Sequence, residues 1–429
     1  MSGAVICCAA LAAFSPPPAE MVIRLTVDPM PAPKPALRYQ LLPEMKEMAP
    51  GNPIPAYLKA LLDQDFTANQ DELGPSALRQ ADRAARLDKP DWQLMHKIRT
   101  DGIGLLLPDL QKMRQLATGL SDRFRQEVAQ RRFDDALVTA KTMFALSRHT
   151  GDHPTLIGNL VGIAIAYITI GPLEEMLEQP GCPNLYWALT SLPRPLISLD
   201  QGLQGERMLI VAELRDLSDT APMTAGQIKK VIDHIEEIRR FEPDRQKLTT
   251  RQYVTVRARD PKYLAAARAR LVESGIAEEL VVGFPADQVI LLDEKREYEV
   301  WRDEEMKLLK LSVWEAAPLA RKATPIPEQR LLTLLVPALA KVGLAQCRLE
   351  QRVALLRHVE ALRMHAADHD RKLPASLTDV EVPLPVDPVT GKPFRYELKD
   401  GTAHIRGTPP KGYEQQPHFN LHYEITIRK

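Results

Sequence analysis

Glycine is scarce in this chain, at 21 of 429 residues, and aromatic side chains make up only 5%. Sandwiches and barrels draw on both at their corners and cores, so the shortage points away from an all-β fold. Net charge is missing too. Lys plus Arg and Asp plus Glu each total 56, which leaves no overall field to favour nucleic acid or an anionic membrane. Of four cysteines, Cys7 and Cys8 lie inside the first apolar stretch. Cys182 and Cys347 have no C-x-x-C or Cys/His spacing, which excludes a zinc ribbon or a disulfide framework and leaves one disulfide or two buried thiols. The chain also lacks G-x-S-x-G, a P-loop, G-x-G-x-x-G and an EF-hand loop, so no strong catalytic signature is present.

What it has in quantity is Ala, Leu, Arg and Glu, punctuated by 36 prolines, a composition suited to helices with proline corners. Residues 1–19 read as a possible signal peptide. An apolar run from Ala4 to Phe14 contains the small-x-small motif Ala10-Leu11-Ala12, although no Lys or Arg precedes it. Export to the periplasm or envelope is therefore expected, with the cytoplasm as the alternative. Residues 20–52 hold one alternating strand, Met21 to Val27, and a proline-rich connector from Asp28 to Pro35.

Residues 53–323 read as an irregular array of helical hairpins. Phe133, Ala136, Leu137, Ala140 and Phe144 form one apolar stripe, with Asp134 and Asp135 in the first turn, where carboxylates favour the helix dipole. The opening R-R-F-D-D-A-L resembles the start of a tetratricopeptide-type helix, but no 34-residue self-similarity accompanies it. Thr155 to Leu173 carries no charge and places Gly158 and Gly162 in G-x-x-x-G spacing, which fits either a transmembrane helix or a buried central one. Asn159, Thr169, the Gly171-Pro172 break and the absence of flanking Lys or Arg favour the buried helix, so no transmembrane helix is expected. Tyr186 and Trp187, on a short helix capped by Asn184, are placed either to stack a ligand or to pack one helical layer on the next. Thr324-Pro325-Ile326-Pro327 marks the domain boundary.

Residues 327–429 then read as one long helix, from Ala338 to His369, followed by a small antiparallel sheet with a hairpin at Asp400-Gly401. The order of long helix, H-D-R-K-L-P-A-S-L, D-P-V-T-G-K-P-F-R-Y and strands, over roughly 100 residues, resembles the major pseudopilin and type IV pilin-like family. The resemblance implies a module of envelope filaments. The family's N-terminal processing motif is absent, and the apolar run is internal and interrupted by Pro337, so the unit reads as a pilin-like fold reused as a terminal module. The whole chain resembles uncharacterised helical envelope proteins of bacteria. The fold class expected is thus mainly α, a helical-hairpin array followed by a small pilin-like α+β module.

His358, His365 and His369 fall on the long helix at spacings that let them share a face, a geometry able to hold zinc. His365-Ala366-Ala367-Asp368-His369 resembles the inverted zincin motif H-x-x-E-H, with Asp in place of Glu. No third ligand stands out downstream, since Glu381, Glu397, Glu414 and Glu424 are unremarkable as a sequence. Polar residues also suit a helix end at the surface without any metal. His149, Asp152 and His153 read as a helix cap. The leading expectation is a non-enzymatic scaffold or protein-interaction module of the envelope, with a protein partner, no nucleic acid and no cofactor. The alternatives are a zinc-dependent hydrolase built on the His365/His369 face and an accessory of a type II secretion or pilin-like system.

Overall fold

The computed structural model describes residues 20–62, 73–239, 248–320, 330–332 and 338–429. The expected leader, the Thr324–Pro327 boundary and Pro337 lie outside them. Among the described residues the chain is mainly helical, with fifteen α-helices and one four-stranded sheet. Helices α1 (Pro53–Leu62), α2 (Pro75–Ala84) and α3 (Met95–Asp101) lead into a stack of α4 (Pro108–Ala129), α5 (Phe133–Gly151) and α6 (Leu156–Leu177). After α7 (Tyr186–Thr190) and α8 (Asp200–Glu213) comes a second group: α9 (Ala225–Ile238), α10 (Thr250–Ala258), α11 (Pro261–Glu273), α12 (Glu278–Gly283) and α13 (Ala286–Leu308). Last come α14 (Val313–Ala320) and the 31-residue α15 (Ala338–Asp368).

The charge-free run forms most of α6, which continues through Glu174 and Glu175, and the helix is capped at its start by the Thr155 hydroxyl, which accepts the Gly158 N–H. Gly162 has a specific task here. A Cβ on it would stand 2.7 Å from the Gly151 Cα and 2.8 Å from the Ser147 carbonyl oxygen, so the missing side chain is what lets α6 lie against α5. Ile163, Ile165, Ala166, Ile170 and Leu173 are buried along the same helix. Length and apolar composition make α6 a long central helix of the stack.

The sheet runs β1-β4-β3-β2. β2 (Arg395–Lys399) and β3 (Thr402–Arg406) form the expected hairpin, with Asp400 and Gly401 both at positive φ, as a two-residue primed turn requires. β4 (Leu421–Ile427) pairs antiparallel with β3. Its other edge is taken by β1 (Met21–Val27), parallel and in register from Met21↔Leu421 to Val27↔Ile427. The sheet is therefore mixed, and the strand near the start of the chain belongs to the C-terminal unit. Alternation in Met21–Val27 shows that a strand exists; it carries no information about which edge accepts it.

Packing also crosses the expected 53–323 and 327–429 division. Leu349, Leu355, Leu356, Val359 and Leu362 of α15, and Ala403, Ile405, Tyr423 and Ile425 of the sheet, share one core with Leu120, Phe124, Phe144 and Ile170 of the helical stack. A second core, around Ile232, Tyr253, Leu271, Val289 and Leu292, gathers α9 to α13. Buried polar links join α15 to the rest. Arg352 makes a bidentate pair with Glu174 of α6, at 3.0 and 2.6 Å, and the Tyr423 hydroxyl donates to the same carboxylate. Arg363, fully buried, pairs with Glu360 and donates to the carbonyls of Asp28 and Cys182. Cys182 and Cys347 are separate buried thiols, both pushed up to about 12 by burial.

Candidate functional site: a groove beside the long helix

Where α7, the start of α8, α14, α15 and the 385–388 and 410–413 loops converge, they enclose a groove of about 870 Å³. That volume falls within the range of small-molecule and cofactor pockets, about 300–1,000 Å³. Its walls are mostly leucine, alanine and proline. α14 forms one rim and buries none of its own side chains, leaving Trp314 and Leu319 exposed beside Leu311. The Trp314 ring rests against Gly391, where a Cβ would come within 2.7 Å of the ring.

Seven charged residues line the groove: Asp200 and Lys310 pair with each other, Glu305 and Lys411 stand apart from the long-helix wall, and the other three are Arg194, Glu350 and Arg357. Glu350 and Arg357 lie seven residues apart on α15, on the same face as Val353 and Ala354, and all four line the groove. The Arg194 side chain comes from the Pro193-Arg194-Pro195 turn opposite. Arg357 is 5% exposed. Its Nε donates to Thr190 Oγ1 at 3.0 Å, and its guanidinium carbon stands 5.5 Å from the Tyr186 ring. Burial, and then the Arg194 guanidinium, hold Arg357 below the usual arginine range. Neither arginine makes an ion pair among the described residues. A buried cation beside a second cation, without a carboxylate, is costly unless an anion comes to it.

Glu350 makes no ion pair with either arginine, although the Arg194 charge acts on its carboxyl. Its Oε1 accepts the Leu196 N–H at 2.8 Å, and burial pushes its carboxyl up to about 7. The Leu196 N–H and the Arg194 guanidinium act against that shift, favouring the charged carboxylate. What the arrangement does well is hold an apolar ligand by its hydrophobic body and an attached anion between Arg357 and Arg194.

The residues singled out in the sequence have the following places. Tyr186 is buried; its hydroxyl donates to the Pro383 carbonyl, its N–H is accepted by Asn184 Oδ1, and it carries Arg357 on its ring face. Trp187 packs edge-on against it at 5.0 Å. Both brace the groove from behind. On α15, His365 and His369 do come together, with rings stacked at 3.9 Å, but the His369 Nδ1–H is held by the His365 carbonyl at 2.8 Å. His358 points elsewhere: buried, it donates to the Ala354 carbonyl and meets the Phe394 ring edge-on at 4.9 Å, and burial pulls it down to about 4. His153 is likewise buried and His149 partly so, and both are pulled down to about 4, on Thr155 and Tyr57 respectively.

Arg194, Glu350 and Arg357 escaped the sequence reading. The available signal was charge at two positions of the α15 stripe that should otherwise have been apolar. No family model, curated protein or solved structure matches the chain.

Proposed function

We propose that the chain is a non-enzymatic binding protein of a bacterial envelope, whose groove takes an apolar polypeptide segment of a partner protein that carries a carboxylate. The observation that carries this reading is Arg357, buried on the groove floor beside Arg194 with no ion-pairing carboxylate among the described residues. A polypeptide is favoured because the rim is itself an exposed apolar helix, with Trp314, Leu311 and Leu319 uncovered, and such rims mark protein-binding sites. The apolar run and small-residue motif before Met21 support export, as does the resemblance of the C-terminal unit to pilin-like modules.

The probe that tests it is a leucine-rich hexapeptide with a free C-terminal carboxylate, compared with the same peptide amidated. Binding of the free acid should shift Trp emission to shorter wavelength in the full chain and not in a Trp314→Phe variant. The amide should bind about tenfold to a hundredfold more weakly, the worth of a hydrogen bond to a charged group, ~1.5–3 kcal/mol. Equal affinity for the two peptides removes the arginine pair from the mechanism. Tighter binding of a simple long-chain carboxylate than of any peptide assigns the groove to small lipids instead.

A further inference from the structure

The outer face of the sheet carries a second cluster, independent of the groove. β3 and β4 pair with His404 opposite Glu424 and Arg406 opposite His422. His404 Nδ1 lies 3.0 Å from His422 Nε2 and 3.9 Å from Glu424 Oε1, and one donor atom from each of the three residues falls within 4.8 Å of the others. Four ligands at ~2.0–2.1 Å around a tetrahedral ion stand about 3.3 Å apart, so the three donor separations need to change by no more than about 1.5 Å to close on one centre.

The surroundings orient those donors. His422 Nδ1 is 2.7 Å from Glu20 Oε2, so the ring gives its N–H to Glu20 and turns a bare Nε2 toward His404 and Glu424. A carboxylate behind a ligating histidine is the usual outer partner of a bound metal, fixing the tautomer and raising basicity. Glu20 is itself held by Arg406, 3.4 Å away. Arg24 Nε takes Glu424 Oε2 at 2.9 Å and leaves Oε1 for the histidines. His422 is nearly buried while His404 and Glu424 are partly open, so a fourth position faces solvent.

A hydrogen bond between two histidines explains the 3.0 Å contact alone. It does not explain a third donor at ligand range, nor the Glu20 carboxylate placed behind His422 and the Arg24 guanidinium placed behind Glu424. We propose that His404, His422 and Glu424 form a binding site for a divalent transition ion of the zinc class, with Glu20 as the orienting carboxylate. Imidazole and carboxylate together suit this ion class, and three protein ligands leave a fourth site for water. Binding requires His404 as its Nε2–H tautomer, freeing Nδ1. Because Glu20 immediately precedes β1, the ion ties the first strand of the sheet to the last two.

The test uses the full chain, stripped with chelator, dialysed against micromolar free zinc and analysed for metal, with cobalt as a spectroscopic stand-in. Stoichiometric zinc and intense visible cobalt bands of low coordination number are expected. His404→Ala and His422→Ala should each reduce bound zinc to less than a tenth, and Glu20→Gln should weaken affinity about tenfold to a hundredfold. Paired His365→Ala and His369→Ala substitutions should leave zinc content unchanged. If a His422 variant fails to fold, Glu424→Gln supplies the comparison: zinc raises the melting midpoint of the wild-type chain and not of this variant. A wild-type chain that takes up no zinc, zinc retained after loss of both His404 and His422, or zinc lost with His365 and His369 overturns the proposal.

Discussion

Arg363 is the residue on which most distant pieces of chain meet. Its guanidinium pairs with Glu360 and reaches the carbonyls of Asp28, Cys182 and Pro183, while its own carbonyl accepts the Met30 N–H. Both members of the ion pair are fully buried. Such a pair is weak evidence for net stability, but removing one partner strands the other charge. Arg363→Met should therefore destabilise the chain by about 3–5 kcal/mol in urea unfolding, and the double change Arg363→Met with Glu360→Met should recover much of that loss. A single variant within 1 kcal/mol of wild type would show that Glu360 escapes to solvent or takes a proton at little cost. Nothing in the sequence separates Arg363 from the other arginines of α15. Its role depends on backbone carbonyls contributed from positions 28 and 182, whose proximity is a tertiary fact.

At the scale of elements, local chemistry was the legible part. The Asp134/Asp135 start of α5 and the turn at Asp400-Gly401 follow from dipole and φ preferences that act within a few residues. Partner choice was not legible: β1 joins β4 across some 400 residues, and the histidines of α15 turn to different neighbours. The G-x-x-x-G spacing is an intermediate case, since it announces a close approach without naming what approaches. Two glycine changes test that account. Gly162→Ala drives a Cβ into the backbone of α5 and should cost about 1–3 kcal/mol by the usual penalty for overpacking. Gly226→Ala in α9 meets nothing within 4 Å and should be neutral or stabilising by up to about 1 kcal/mol. Equal effects in thermal unfolding would contradict the assignment of Gly162 as a packing glycine.

Across the whole molecule, His149, His153 and His358 are kept neutral by burial, each pulled from 6.5 to about 4. Their neutral forms stabilise the fold fully above about pH 6.5, and that contribution is lost as pH falls toward 4, because the unfolded chain takes up protons that the folded one refuses. Each is worth on the order of 3 kcal/mol across that window. Glu350, raised to about 7, works the other way and partly offsets them. Unfolding free energy should fall steeply between pH 6.5 and 4, and a His358→Asn variant should show a slope shallower by about one proton, ~1.4 kcal/mol per pH unit. An unchanged slope would mean that His358 titrates as it does in the unfolded chain.

The same scale contains the functional claim, since the groove exists only because the array, the long helix and the C-terminal loops meet. The candidate arginines were present in the sequence as ordinary surface-type residues, and only the convergence of α7, α15 and the Pro193–Pro195 turn brings buried Arg357 and exposed Arg194 to one groove, where neither makes an ion pair among the described residues. The most direct test is a double comparison by calorimetry: acid and amide forms of the hexapeptide against wild type and against a chain carrying Arg194→Met and Arg357→Met. The account predicts that the tenfold to hundredfold preference for the acid disappears in the variant while the amide binds about as before. A preference for the acid that survives loss of both arginines would contradict it.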